Sequence, residues 1–230
     1  MLTDPADPVP GSASLRRLET TVLAAGHATA ARVSILDAGG GRVVVFKDYS
    51  QTSGIFRRFI APLLAWREVT ALRRLGGIDG IPQLIRPIGQ TGLLMEYVPA
   101  EALPNAGDVG IETLDALEIL VANMHAAGVA HADLRAARNV LVDEVGRPYI
   151  VDFVARVQRG ASWNRPWNRL FELFKAADYS AIAKLRLRYA PAHARTEDPQ
   201  LARHTGRQAR IGRAIGMTTR RVVQRFAHWQ

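Results

Sequence analysis

Cysteine is absent from this 230-residue chain, which removes disulfides, thiolate nucleophiles and thiolate-held zinc and fits a reducing compartment. Lysine is scarce: of 30 basic residues only Lys47, Lys175 and Lys184 are lysines, and Lys47 alone falls in the first 174 positions. No stretch approaches the ~20 apolar residues that would span a bilayer. The opening MLTDPADPVPGSASLRR shows no basic-then-apolar leader pattern, and a cytoplasmic protein is the expectation. What is present is a 48% hydrophobic composition, enough to bury a substantial core and too apolar for wholesale disorder. The net charge of +9 is unevenly placed, because residues 159–230 hold 15 Lys and Arg against four acids, while residues 1–158 are slightly acidic. The basic pI therefore describes the C-terminal third alone.

Residues 1–15 carry Pro, Asp, Gly and Ser with little periodicity and read as a loose terminus. Three runs follow, ETTVLAA, ARVSIL and RVVVFK, with β-branched residues inside and the turn DAGGG between the last two, a pattern that predicts an antiparallel meander. FRRFIAPLLAWREVTALRRL (56–75) has helical spacing, with Pro62 marking a break or a start. QLIRPIG and TGLLMEYV read as two further strands, and the connector VPAEALPNAGD as a boundary between lobes. Beyond it, 111–127 reads as a helix with Leu114, Leu117, Ile119, Leu120 and Met124 near one stripe and Gly128 as its stop. A polar loop, HADLRAARN, leads into the hairpin VLVDEVGRPYIVDF, turning at 144–147, and the chain is mostly helical from Trp163. The expected division is 1–15 terminus, 16–100 β-rich lobe and hinge, 101–198 helical lobe, and 199–230 a basic amphipathic helix.

The segment HADLRAARNVLVDEVGRPYIVDF combines a His-x-Asp loop after a helix, an Asn a few residues on, a hairpin, and then Asp-Phe. It resembles the catalytic loop and metal-binding segment of the protein-kinase-like superfamily, and the resemblance extends over roughly residues 18–155. It implies an α+β, bilobal, protein-kinase-like fold using ATP and Mg²⁺. Asp133 would orient the acceptor hydroxyl and take its proton. Asn139 and Asp152 would hold the metal through hard oxygens, and His131 would bond backbone around the loop. Lys47, closing VVVFK, matches the strand lysine on the α- and β-phosphates, a position that suits a compact ammonium. Glu68, 21 residues on, would hold Lys47 as an ion pair, although Arg67 and Arg73 also offer it local partners. Aligned on the family's glycine loop, GHATAARV keeps Gly26 and puts Ala28 and Ala31 at the other small positions, with Val33 capping the adenine. MEYVPA resembles the hinge, so Met95, Glu96 and Val98 complete the nucleotide set.

Three departures from the family pattern stand out. Asn139 is the sixth residue after Asp133 where the pattern has the fifth, which places a one-residue insertion within RAAR. Ala132 replaces the Arg that commonly pairs with a phosphate on the activation segment, and Val154 replaces the Gly of Asp-Phe-Gly; both point to fixed rather than switchable machinery. Only 78 residues follow Asp152, with no Ala-Pro-Glu, so the truncated lobe looks like the compact bacterial kinases of lipopolysaccharide-core sugars, including Kdo kinases, and like the RIO-type atypical serine/threonine kinases. A basic lobe favours an anionic acceptor such as a core sugar or other glycolipid. A protein Ser/Thr acceptor is the alternative, and a nucleotide-binding pseudokinase scaffold the third reading. In the tail, Ile211, Ile215, Val222, Phe226 and Trp229 fall at steps compatible with one helical face, among arginines. Such a helix either packs on the lobe or meets the inner face of the cytoplasmic membrane peripherally. The charge comes with no recognised nucleic-acid-binding fold, and nucleic acid is not the expected partner.

Overall fold

The computed structural model describes residues 11–27, 30–107 and 109–202. They form two compact units, residues 11–73 with 82–98 and residues 74–81 with 99–202, and the class is α+β.

In the first unit the three β-branched runs become strands β1 (Glu19–Ala24), β2 (Arg32–Gly39) and β3 (Arg42–Asp48), joined by β4 (Leu84–Ile88) and β5 (Gly92–Glu96). All neighbours pair antiparallel in the order β1-β2-β3-β5-β4. Side chains alternate across a strand, so Leu36, Val44, Phe46, Ile88 and Leu94 meet in one core. Residues 12–15, expected to belong to the loose terminus, form with Arg16 a short helix, α1 (Ser12–Arg16). The reason is two anchors: Leu15 is fully buried in that core, and Arg16 donates to the buried Asp48 at 2.6 Å. The helix expected from 56 opens as a π-helical turn, Phe56–Ile60, and continues as α2 (Ala61–Arg74). Pro62 has no N–H to give the carbonyl of Arg58, the bond an α-helix would need there, so the wider turn ends against it.

In the second unit β6 (Ala100–Ala102), β8 (Val140–Asp143) and β9 (Pro148–Ile150) form one antiparallel sheet, and β7 (Val129–Ala130) pairs with β10 (Val157–Gln158). Helix α3 (Ile111–Ala126) packs on α4 (Arg165–Tyr189). The buried stripe of α3 is Leu114, Leu117, Leu120, Val121 and Met124. Ile119, expected near it, is 63% exposed, because two residues from Leu117 is over half a turn at 3.6 residues per turn. Gly128 ends α3 at φ +78°, the left-handed stop that glycine adopts without a Cβ penalty. Residues 74–81, expected in the first lobe, belong here: the Ile150 N–H donates to the Gly80 carbonyl at 2.9 Å, and Arg74 Nε to the Ala127 carbonyl at 2.6 Å. Of the helix expected over 199–230, residues up to 202 are helical and 203–230, with the whole apolar face named above, lie outside the described residues. Ala28 of the expected glycine loop lies outside them as well.

Candidate active site

Each unit carries its own cluster of the expected residues. In the first, β3 ends on Lys47, which is 8% exposed. Helix α2 brings Glu68, 1% exposed, so that Lys47 Nζ lies 2.9 Å from Oε1 and 2.8 Å from Oε2. Glu68 is therefore not a solvated helix acid. A buried ammonium gripped by both oxygens of one carboxylate is held in place, and the pair cancels a charge that alone would cost several kcal/mol to bury. Val33 sits directly opposite Lys47 in the β2–β3 register, which puts both side chains on one face of the sheet. Gly26 stands just past β1 at φ +72°, where an added Cβ would come within 2.8 Å of the Arg32 nitrogen; only glycine fits. Met95, in β5, is buried opposite Val45. The N–H of Glu96 goes to the Gln83 carbonyl at 2.9 Å, and its carboxylate accepts the Gln83 N–H at 3.0 Å. Val98 closes this unit, half-buried.

In the second unit the loop after β7 is tied from three sides. His131 Nε2 lies 2.9 Å from the Val151 carbonyl, and the Asp133 N–H points to its Nδ1 at 3.3 Å. A carbonyl only accepts and an N–H only donates, so this geometry calls for the Nε2–H tautomer. Asn139 Nδ2 donates to the Asp133 carbonyl at 3.1 Å and reaches its Oδ2 at 3.4 Å. Two successive turns take up the extra residue of the loop: the Ala136 N–H bonds the Asp133 carbonyl, and the Asn139 N–H bonds the Ala136 carbonyl. Val151, which precedes Asp152, also gives its N–H to the Asn139 carbonyl at 2.9 Å. Both backbone groups of one residue thus join Asp152 to the loop that carries Asp133. Asp152 is itself left-handed, at φ 65° and ψ 69°. The positive φ of this segment falls on Asp152, while Val154 lies in the 3₁₀ turn Phe153–Ala155 and needs no glycine-like freedom. Phe153 is fully buried, its ring centroid 5.1 Å from that of His131.

No protein family model and no curated protein matches the chain. Solved structures do. The Rio2 kinase from Chaetomium thermophilum superposes with a TM-score of 0.59 at 17% identity, covering 76% of this chain and 59% of that one. The chain has a protein-kinase-like fold. A complex of the same Rio2 kinase with ADP, Mg²⁺ and a phosphoaspartate matches with a TM-score of 0.59 at 16% identity, over 80% of this chain and 60% of its own. The chain spans about three fifths of the length of those kinases.

Within this kinase-like fold the residue that sequence reasoning missed is Asp178. It lies on α4, 1% exposed. Its Oδ2 accepts the His131 N–H at 2.8 Å and lies 3.0 Å from His125 Nε2, while its Oδ1 accepts the Ala132 N–H at 2.9 Å. Ala132 is held at φ 67°, a conformation that costs a non-glycine residue roughly 1–2 kcal/mol; the carboxylate offsets that cost by taking two successive N–H groups. Phe171, Asp178, Ile182 and Leu185 share the buried side of α4, so the available signal was an acid on an otherwise apolar helical stripe.

Proposed function

We propose that the protein is an ATP- and Mg²⁺-dependent phosphotransferase that moves the γ-phosphate to a hydroxyl. The observation that carries this reading is the bonding of Asn139 to Asp133, with both backbone groups of Val151 tied to the same loop. It supports an acid, an amide and the Asp152 carboxylate acting together. The donor set suits Mg²⁺: with Nδ2 of Asn139 spent on Asp133, the amide has its oxygen to offer, and Asp152 adds a carboxylate, both hard ligands. When bound, the metal supplies charge neutralisation at the phosphates.

This chain's own residues do the rest. Asp133 orients the acceptor hydroxyl and takes its proton as the new O–P bond forms and the bond from the γ-phosphorus to the bridging oxygen of ADP breaks. Lys47, fixed by Glu68, places a positive charge on the α- and β-phosphates. Gly26 and Val33 bound the nucleotide. The adenine edge is met by main-chain groups of residues 96–98 other than the Glu96 N–H, with Met95 lining the site. The acceptor we favour is anionic, a lipopolysaccharide-core sugar or another glycolipid, because the C-terminal third is strongly basic. The fold's likeness to the Rio2 kinase favours a second acceptor, a protein Ser or Thr hydroxyl.

Labelled ATP with Mg²⁺, offered to a lipopolysaccharide extract and to total protein in parallel, tests both. Label in the glycolipid, absent with Asp133→Ala, supports the first acceptor; label in protein supports the second. Asp152→Ala should abolish turnover, and activity retained in that variant would overturn the site. If MgATP raises the melting temperature and neither acceptor is labelled, the result favours the third reading, a nucleotide-binding scaffold.

A further inference from the structure

Four large apolar side chains point outward from the π-helical turn and the first turns of α2. Ile55, Phe59, Leu63 and Trp66 are 53%, 65%, 48% and 57% exposed. Their spacings of four, four and three residues put them on one face. The opposite face, with Phe56, Ala61, Ala65, Val69 and Leu72, is buried, so the helix is apolar on both sides. Scattered exposed hydrophobics need no explanation, but a continuous stripe marks a surface that is covered by something.

The charge around the stripe says what covers it. Between residues 49 and 78 the sequence holds five arginines and one acid, Glu68, and Glu68 is buried on Lys47. Arg57 and Arg58 are exposed beside the stripe. At its N-terminal end they line an open cleft of about 530 Å³ with Phe59, Gln90 and Thr91, an arrangement of guanidinium, amide and hydroxyl donors suited to phosphate oxygens. A second copy of this face would set arginines against arginines. The chain's own segment 203–230, with seven arginines and no acid, carries the same sign. An apolar stripe ending in Trp and flanked by the exposed Arg57 and Arg58 is the composition of a helix lying in the headgroup layer.

We propose that the outer face of residues 55–66 docks on an anionic lipid surface, with the apolar stripe entering the acyl boundary and a headgroup phosphate seated between Arg57 and Arg58. None of these residues belongs to the set assigned to ATP or to phosphate transfer, and the inference stands whichever acceptor is correct.

The test is co-sedimentation of the full chain with vesicles of phosphatidylcholine alone and of phosphatidylcholine mixed equally with phosphatidylglycerol. The parent should pellet with the mixed vesicles and not with the neutral ones. A triple variant, Phe59→Ser, Leu63→Ser and Trp66→Ser, should lose roughly tenfold or more of that binding, as should Arg57→Gln with Arg58→Gln. Melting temperature monitors the fold, and if the serine variant is unfolded the arginine variant decides alone. Binding by the variants equal to the parent's would overturn the proposal and assign the affinity to another surface such as 203–230. Equal binding to neutral vesicles, or none to either, would also overturn it. So would a parent dimer that the serine variant converts to monomer, since the stripe would then be a contact between copies.

Discussion

The N–H of Ala132 is bonded at 2.9 Å to the carboxylate of Asp178, 46 residues further along the chain. This bond, with its neighbour from the His131 N–H, holds the loop preceding Asp133 in a left-handed turn. Asp178→Ala leaves the buried His131 N–H and the half-buried Ala132 N–H without their acceptor, at about 1–3 kcal/mol each. Urea unfolding should show a loss of about 3 kcal/mol or more, and turnover should fall far more than MgATP affinity, because the nucleotide contacts assigned to Lys47, Gly26 and Val33 lie in the other unit. Equal losses of both would show that Asp178 supports the fold without positioning the loop.

Lys47 and Glu68 make a second test. Lys47→Met leaves a carboxylate buried without its cation, which should cost about 3–5 kcal/mol, while Lys47→Met with Glu68→Leu should recover most of that stability because both charges are gone. Neither variant should transfer phosphate. The double-mutant cycle in urea, read beside the phosphotransfer assay, separates the stabilising role of the pair from its chemical one.

Arg186 is the hub of a separate network. It is 2% exposed and reaches Asp115 and Glu118 at 2.9 Å and Asp198 at 3.4 Å. Burial works against its charge, but the hydrogen bond to Glu118 and the charge of Asp198 prevail and raise its pKa. Arg186→Met leaves Asp198, itself 1% exposed, without its cation, and should destabilise by about 3 kcal/mol. Adding Asp198→Asn should return part of the loss. Arg195 is also bonded to Asp115 and Glu118, so those two acids keep a partner and contribute little to the deficit.

Glu19 sets a pH dependence. The hydrogen bond from Arg32 holds its carboxyl below the usual glutamate range, with burial opposing and Ser34 assisting. A depressed folded-state pKa adds stability above the unfolded-state pKa, and that stability is lost as pH falls through the folded one. Glu19→Gln should therefore lower the melting temperature at neutral pH and flatten its decline on acidification. A wild-type-like acid limb in that variant would contradict the pairing.

The sheet and the Lys47–Glu68 pair were legible because strand alternation is a local signal and because lysine is so rare here that its one early appearance stood out. The resemblance to a kinase-like loop set Asp133, Asn139 and Asp152 in order along the chain, and the structure bonds Asn139 to Asp133. Asp178 was not legible: in the sequence it is one of four acids in a basic stretch, and its role exists only where α4 passes behind the loop. Residues 74–81 group with the second unit for a reason that no local pattern carries, since the Gly80 carbonyl finds its partner at Ile150, 70 positions away. Leu15 was lost in a terminus punctuated by Pro5, Pro8 and Pro10, where composition outweighed one apolar residue that the core required.

Val151 gives one backbone group to Asn139 and the other to His131. The step to Asp152 therefore cannot swing outward without breaking both bonds. Opening that step costs two hydrogen bonds to the Val151 backbone at once, about 1 kcal/mol each.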